Sequence, residues 1–122
     1  MKILLVDDST TSLNFLERSF QSAGWETISA KDGLEAWEVA QKLDSLDVVV
    51  SDYNMPGLNG LELAQKLDSS NHKGVLFFLL TSVGIESKEL IETAREVGVK
   101  AWIAKPFQEN HIQLIQKALE EK

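Results

Sequence analysis

The stretch Ile3-Leu4-Leu5-Val6-Asp7-Asp8-Ser9 decides how the rest of the chain is read. Four apolar residues without polar alternation read as a strand buried on both faces, and two acids stand directly at its end. The pattern repeats along the chain. Val48-Val49-Val50 is a β-branched run followed by Asp52, Val75–Leu80 runs into Thr81, and Ala101–Ala104 runs into Lys105. Glu26–Ser29 is a shorter polar-apolar alternation. Helical spacing fills the intervals: Leu13, Leu16, Phe20 and Ala23, then Ala36, Val39, Ala40 and Leu43, then Leu61, Ala64 and Leu67. Leu90, Ile91, Ala94 and Val97 give a fourth helix, and Ile112, Ile115 and Leu119 a fifth. Gly24 and Gly98 follow two of these helices and supply the left-handed stop that favours glycine.

The order is therefore β-α five times, which predicts an α/β fold. A five-stranded parallel sheet with right-handed crossovers carries helices on both faces, doubly wound. In the flavodoxin-like strand order 2-1-3-4-5, the functional crevice opens at the carboxyl ends of strands 1 and 3. The polar residues stand there: Asp7 and Asp8 after strand 1, Asp52 after strand 3, Thr81 after strand 4 and Lys105 after strand 5. Strand 2 ends in Ala30-Lys31-Asp32-Gly33 and adds little chemistry, as suits an outer strand.

Length and composition narrow the function. The 122 residues carry 12 Lys plus Arg against 19 Asp plus Glu, a net charge of −7, and no Cys. This size suits one domain, 1–122, with a real core. Without Cys there is no disulfide framework, thiolate metal site or Cys nucleophile. The negative balance opposes non-specific binding to a phosphate backbone, so no nucleic-acid partner is expected. No apolar run is long enough to cross a bilayer, and the amino terminus lacks the form of a signal peptide, so a cytoplasmic protein without a membrane partner is expected.

Taken singly, each polar residue has a plain reading. Asp8 or Ser9 caps helix 1, Asp52 opens a turn through Asn54-Met55-Pro56-Gly57, Thr81-Ser82 caps, and Lys105 is solvated. Together they demand more, because three carboxylates at one sheet edge repel one another unless a cation joins them. Mg²⁺ takes hard oxygen ligands and commonly binds one or two carboxylates plus a phosphate. With the charge neutralised, a carboxylate can attack phosphorus, while Lys105 and the Thr81 hydroxyl are placed for phosphoryl oxygens.

At these spacings the chain resembles the receiver domain of two-component response regulators. The residues that carry the resemblance are Val6-Asp7-Asp8-Ser9, Ala30-Lys31-Asp32-Gly33-Leu34-Glu35-Ala36, Asp52-Tyr53-Asn54-Met55-Pro56-Gly57, Asn59-Gly60, Leu80-Thr81-Ser82 and Lys105-Pro106-Phe107. The resemblance implies that Asp52 is the phosphoacceptor. It implies Mg²⁺ on Asp8, Asp52 and the backbone carbonyl of Asn54, with Asp7 acting mainly through metal-bound water. Lys105 would pair with Asp52 and then with the phosphoryl group. Thr81 would be the switch hydroxyl, Trp102 the switch aromatic, and Lys105-Pro106 a cis peptide. The segment Ala101–Phe107 looks most like chemotaxis regulators, with Trp102 where many receivers have Tyr or Phe. Ser82 stands where Ala is usual, which implies slightly altered access, and Val83 stands where some relatives carry a polar residue that affects hydrolysis.

The chain ends just after helix 5, so no output domain is expected. The implied role is a stand-alone switch of the CheY type rather than a turnover enzyme. Its phosphodonor would be a CheA-like histidine kinase, and its target another protein such as the flagellar motor switch. A phosphorelay intermediate or the receiver of a longer regulator are the nearest variants. An Asp-nucleophile phosphatase is disfavoured, because Asn54 stands where a second acid is needed. Trp25 and Trp37 read as packing groups, His72 as a solvated loop residue, His111 as a helix residue without a metal partner, and Glu120-Glu121-Lys122 as a solvated end.

Overall fold

The computed structural model describes residues 1–82 and 88–121. It contains β1 (Lys2–Val6), α1 (Thr10–Ser22), β2 (Glu26–Ala30), α2 (Gly33–Gln41), β3 (Val48–Asp52), α3 (Gly60–Asp68), β4 (Leu76–Thr81), α4 (Lys88–Glu96), β5 (Val99–Ala104) and α5 (Asn110–Glu120). All strand pairs are parallel, and the sheet order is β2-β1-β3-β4-β5, as the polar strand ends predicted.

Strand periodicity divides the core into two layers. Ile3, Leu5, Val48, Val50, Phe78 and Leu80 face α1 and α5, where Leu16, Phe20 and Ile115 meet them. Leu4, Val6, Val49, Phe77 and Leu79 face the other way, onto Ala36 and Ala40 of α2, Leu63 and Leu67 of α3 and Ala94 of α4. Strands covered on both faces carry no polar alternation, which is why β1 and β3 read so clearly. Each fully buried Leu, Val or Phe stabilises the fold by roughly 1.5–3 kcal/mol. Trp25 joins the first layer, edge-on to Phe20 at 5.4 Å. Trp37 is half-buried against the second, with the Lys66 ammonium 5.5 Å from its ring.

The helix ends follow the sequence. Ser9 caps α1, accepting the Ser12 N–H; Asp32 caps α2, accepting the Glu35 N–H at 2.8 Å. Asn59 and Glu62 form a reciprocal capping box at α3. Gly24 and Gly98 have φ of +88° and +90°, the predicted left-handed stops. Ala23 is exposed at the end of α1 rather than in the core, and Leu43 lies past the end of α2 in a turn closed by its N–H to the Ala40 carbonyl.

All five strands differ by a residue or two from their sequence spans, and for β4 and β5 the reason is visible. β4 begins at Leu76, whose N–H reaches the Asp47 carbonyl, because Val75 is held in a turn by the His72 carbonyl. β5 begins at Val99, not Ala101. Val99 pairs with Phe77 and Ala101 with Phe78, so Lys100 is an extra residue, exposed in an irregular step that interrupts the apolar run. No helix among the described residues is long and apolar enough to cross a membrane.

Candidate functional site

Asp7, Asp52, Thr81 and Lys105 are delivered to one sheet edge because each ends or follows a strand in the same parallel set. Their environments differ sharply. Asp7 is fully buried: its Oδ1 accepts the Ser9 N–H at 2.9 Å, so the turn that caps α1 also orients this carboxylate. Its Oδ2 accepts no hydrogen bond and faces the Lys105 ammonium at 3.3 Å. Asp52 is 6% exposed and its Oδ2 stands 3.2 Å from the same ammonium. Lys105 thus bridges two buried carboxylates, where the resemblance implied a pairing with Asp52 alone. Asp8 is exposed at the mouth. One carboxylate oxygen from each of Asp7, Asp8 and Asp52 lies within 4.8 Å of the others.

Local backbone contacts fix this geometry. The Ser51 hydroxyl donates to the Asp52 carbonyl at 2.9 Å, and the Tyr53 N–H donates to the Leu80 carbonyl at 2.9 Å. α3 starts hard against the end of β3: a Cβ on Gly60 would come within 2.6 Å of the Asp52 carbonyl oxygen, so this close approach requires glycine. The Lys105 N–H donates to the Thr81 carbonyl at 2.8 Å, and the Lys105-Pro106 peptide is cis, as the resemblance implied. Thr81 is buried, while Ser82 and Asn54 are exposed. Val83, which stands where some relatives carry a polar residue, and Lys122 lie outside the described residues.

One lysine leaves the cluster under-compensated. Burial pushes the Asp52 carboxyl above its ordinary range, Asp7 and Asp8 push the same way, and Lys105 offsets only part of this. Burial works against the Lys105 charge too, but Asp7 and Asp52 outweigh it and hold the ammonium above its usual range. An Asp7 oxygen without a hydrogen bond, beside two further carboxylates, is a donor set of hard oxygens that fits Mg²⁺.

Two features escaped sequence reasoning. His72 is buried, not solvated: its Nε2 lies 2.7 Å from the Ala40 carbonyl, linking the α3–β4 turn to the end of α2. Its neighbours Asn71, Lys73 and Gly74 are exposed and hid it. Beside the acidic cluster, a cavity of about 290 Å³ is lined by Asp7, Phe15, Leu16, Lys105, Pro106 and Phe107. Phe15, at 44% exposure, is one of its walls, and its position on α1 outside the Leu13–Leu16–Phe20 stripe was the available signal.

Comparison with known proteins agrees with this geometry. The chain is 35% identical over 109 residues to the chemotaxis protein CheY1 of Helicobacter pylori, covering 88% of this chain and 86% of that protein. It is 35% identical over 108 residues to the chemotaxis protein CheY-3 of Vibrio cholerae, covering 88% and 82%. The crystal structure of Vibrio cholerae chemotaxis protein CheY4 superimposes with a TM-score of 0.86 at 33% identity, covering 97% of both chains. Residues 3–117 match the response regulator receiver domain, and the chain belongs to that family.

Proposed function

We propose that this chain is a phosphorylation-controlled switch that accepts a phosphoryl group on Asp52 from the phosphohistidine of a histidine kinase. The observation that carries the reading is the Asp52 carboxylate, nearly buried, 3.2 Å from Lys105 and within reach of two further acids. An Asp52 oxygen attacks phosphorus, the phosphorus–nitrogen bond to the donor imidazole breaks, and the imidazole leaves with the electron pair. Lys105 follows the charge from the carboxylate to a phosphoryl oxygen, and the Thr81 hydroxyl donates to another. Asp8, Asp52 and the Asn54 carbonyl would hold Mg²⁺, with Asp7 acting through a bound water. That ion would neutralise the charge gathered on the transferring phosphoryl group.

Thr81 and Trp102 form the switch in this reading. Drawing Thr81 toward the phosphoryl group vacates space beside β5, Trp102 moves, and the surface of α4, β5 and α5 changes its partner. The output is binding, not turnover. The likeness to chemotaxis proteins supports a cytoplasmic single-domain regulator over 1–122, fed by a CheA-like kinase and acting on a protein such as the flagellar motor switch.

Incubation with acetyl phosphate and Mg²⁺, followed by intact-mass spectrometry, tests the acceptor. Wild type gains one phosphoryl group and Asp52→Asn gains none. Equal labelling of the variant moves the acceptor elsewhere and overturns the assignment.

A further inference from the structure

Tyr53 directly follows Asp52, and its ring meets Trp102 edge-on, with centroids 5.3 Å apart and planes at 62°. The two residues belong to different strand ends. Tyr53 leaves β3 with its N–H on the Leu80 carbonyl, whereas Trp102 lies in β5 opposite Leu79. The rings therefore meet across β4. Side chains alternate along a strand, so Thr81 shares a face with Leu79, the residue paired with Trp102. Both rings pack against the same core layer as Leu79 and are only half-buried. They form an aromatic bridge from the residue beside the acceptor to the strand that carries the output.

We propose that Tyr53 is a positioning residue of the switch: its ring holds Trp102 in the orientation seen here, coupling the acceptor strand to β5 directly across β4. The inference rests on the switch reading given above and adds a second coupling, besides the one through Thr81. In a two-state equilibrium, a contact made in one state alone shifts the populations by its own worth. An edge-on aromatic pair is worth enough to move the balance about two- to tenfold. Removing it releases Trp102, shifts the balance between the two states, and by linkage shifts the rate of phosphoryl uptake.

The test is a double-mutant cycle read by the initial rate of phosphoryl uptake from acetyl phosphate at fixed Mg²⁺. Tyr53→Leu keeps apolar bulk and removes the ring; it should change the rate about two- to tenfold. Tyr53→Phe restores the ring and should return the rate to that of wild type. In a Trp102→Leu background, Tyr53→Leu should change nothing further, because the ring it acts through is gone. An unchanged rate in Tyr53→Leu, or a full effect that persists without Trp102, overturns the proposal; the latter places Tyr53 in the acceptor pocket itself. A second arm needs no phosphorylation. In protein labelled with 5-fluorotryptophan, the fluorine resonance assigned by Trp102→Phe should be single in wild type and Tyr53→Phe. It should be exchange-broadened or split in Tyr53→Leu, with Trp25 and Trp37 unmoved. A single sharp Trp102 resonance in Tyr53→Leu contradicts the bridge. Failure of wild type to take up a phosphoryl group sinks the switch reading, and the fluorine arm still decides the contact.

Discussion

The two ends of the sheet are built from the same strands and treated differently by the fold. At the amino-terminal end, polar groups are matched. The Lys2 N–H donates to Asp47 Oδ2 at 2.8 Å, the Leu76 N–H reaches the Asp47 carbonyl, and His72 is tied to the Ala40 carbonyl. At the carboxyl-terminal end, two buried carboxylates share one ammonium, a third stands at the mouth, and an Asp7 oxygen lacks a hydrogen bond. Burying polar groups is tolerated when they are satisfied and costly when they are not. The first end is a scaffold, and the second carries negative charge that one ammonium only partly offsets.

The largest effect on stability should come from Lys105. Lys105→Met leaves Asp7 and Asp52 facing each other without a counter-charge. Partial exposure of the lysine moderates the loss, and metal-free unfolding in urea should show a destabilisation of about 2 kcal/mol. A loss below about 0.5 kcal/mol would show that solvent already screens the pair.

His72→Leu tests the opposite end. The Ala40 carbonyl also accepts the Leu43 N–H, so it is not orphaned, and the expected cost is about 1 kcal/mol. Phosphoryl uptake should be unaffected. A variant that is fully stable yet defective in uptake would erase the division between scaffold and site.

Asp52→Asn should act in the other direction and stabilise the metal-free protein at neutral pH by about 1 kcal/mol. The sign follows from linkage. The folded-state pKa of Asp52 lies above the ordinary 3.8, so the native protein holds this proton more tightly than the unfolded chain. Wild type therefore loses stability relative to the variant as pH rises above 3.8, and the difference levels off above the raised pKa. Below 3.8 both side chains are neutral and the advantage should vanish. Urea melts of both proteins in EDTA across that range check this; a gain that is constant with pH would have another origin.

The smallest effect is expected at Asp8. It is exposed, so Asp8→Asn should change metal-free stability by only about 0.3 kcal/mol. Millimolar Mg²⁺ should raise the melting temperature of wild type and leave that of Asp8→Asn unchanged. Equal shifts in both would show that Asp8 does not hold the ion.

The sequence was most legible where one physical rule acted alone. Val48–Val50 and Ile3–Val6 are covered on both sides, so apolarity sufficed to place β1 and β3, and the acids after them pointed to the crevice. Competing effects blurred the rest. Lys100 interrupted β5 because the extra residue in the register turns outward, and Val75 was drawn into a turn before β4 could start. The convergence of Asp7, Asp8, Asp52 and Lys105 was readable because parallel topology brings strand ends together. Their pairing was not: the second ion pair of Lys105, with Asp7, and the contact of Tyr53 with Trp102 are tertiary, set by side-chain reach across the sheet edge. His72 was misread because burial in a loop depends on what packs over it, here the end of α2.

Amide hydrogen exchange, with and without acetyl phosphate and Mg²⁺, tests most directly whether the carboxyl-terminal edge is the responsive end. Stoichiometric phosphorylation should change protection in the segments after β1 and β3, at Thr81, through β5 and along α5. The Lys2, Asp47 and His72 end should exchange as before. Unchanged protection at Thr81 and through β5, or a response concentrated at the His72 end, would contradict the account.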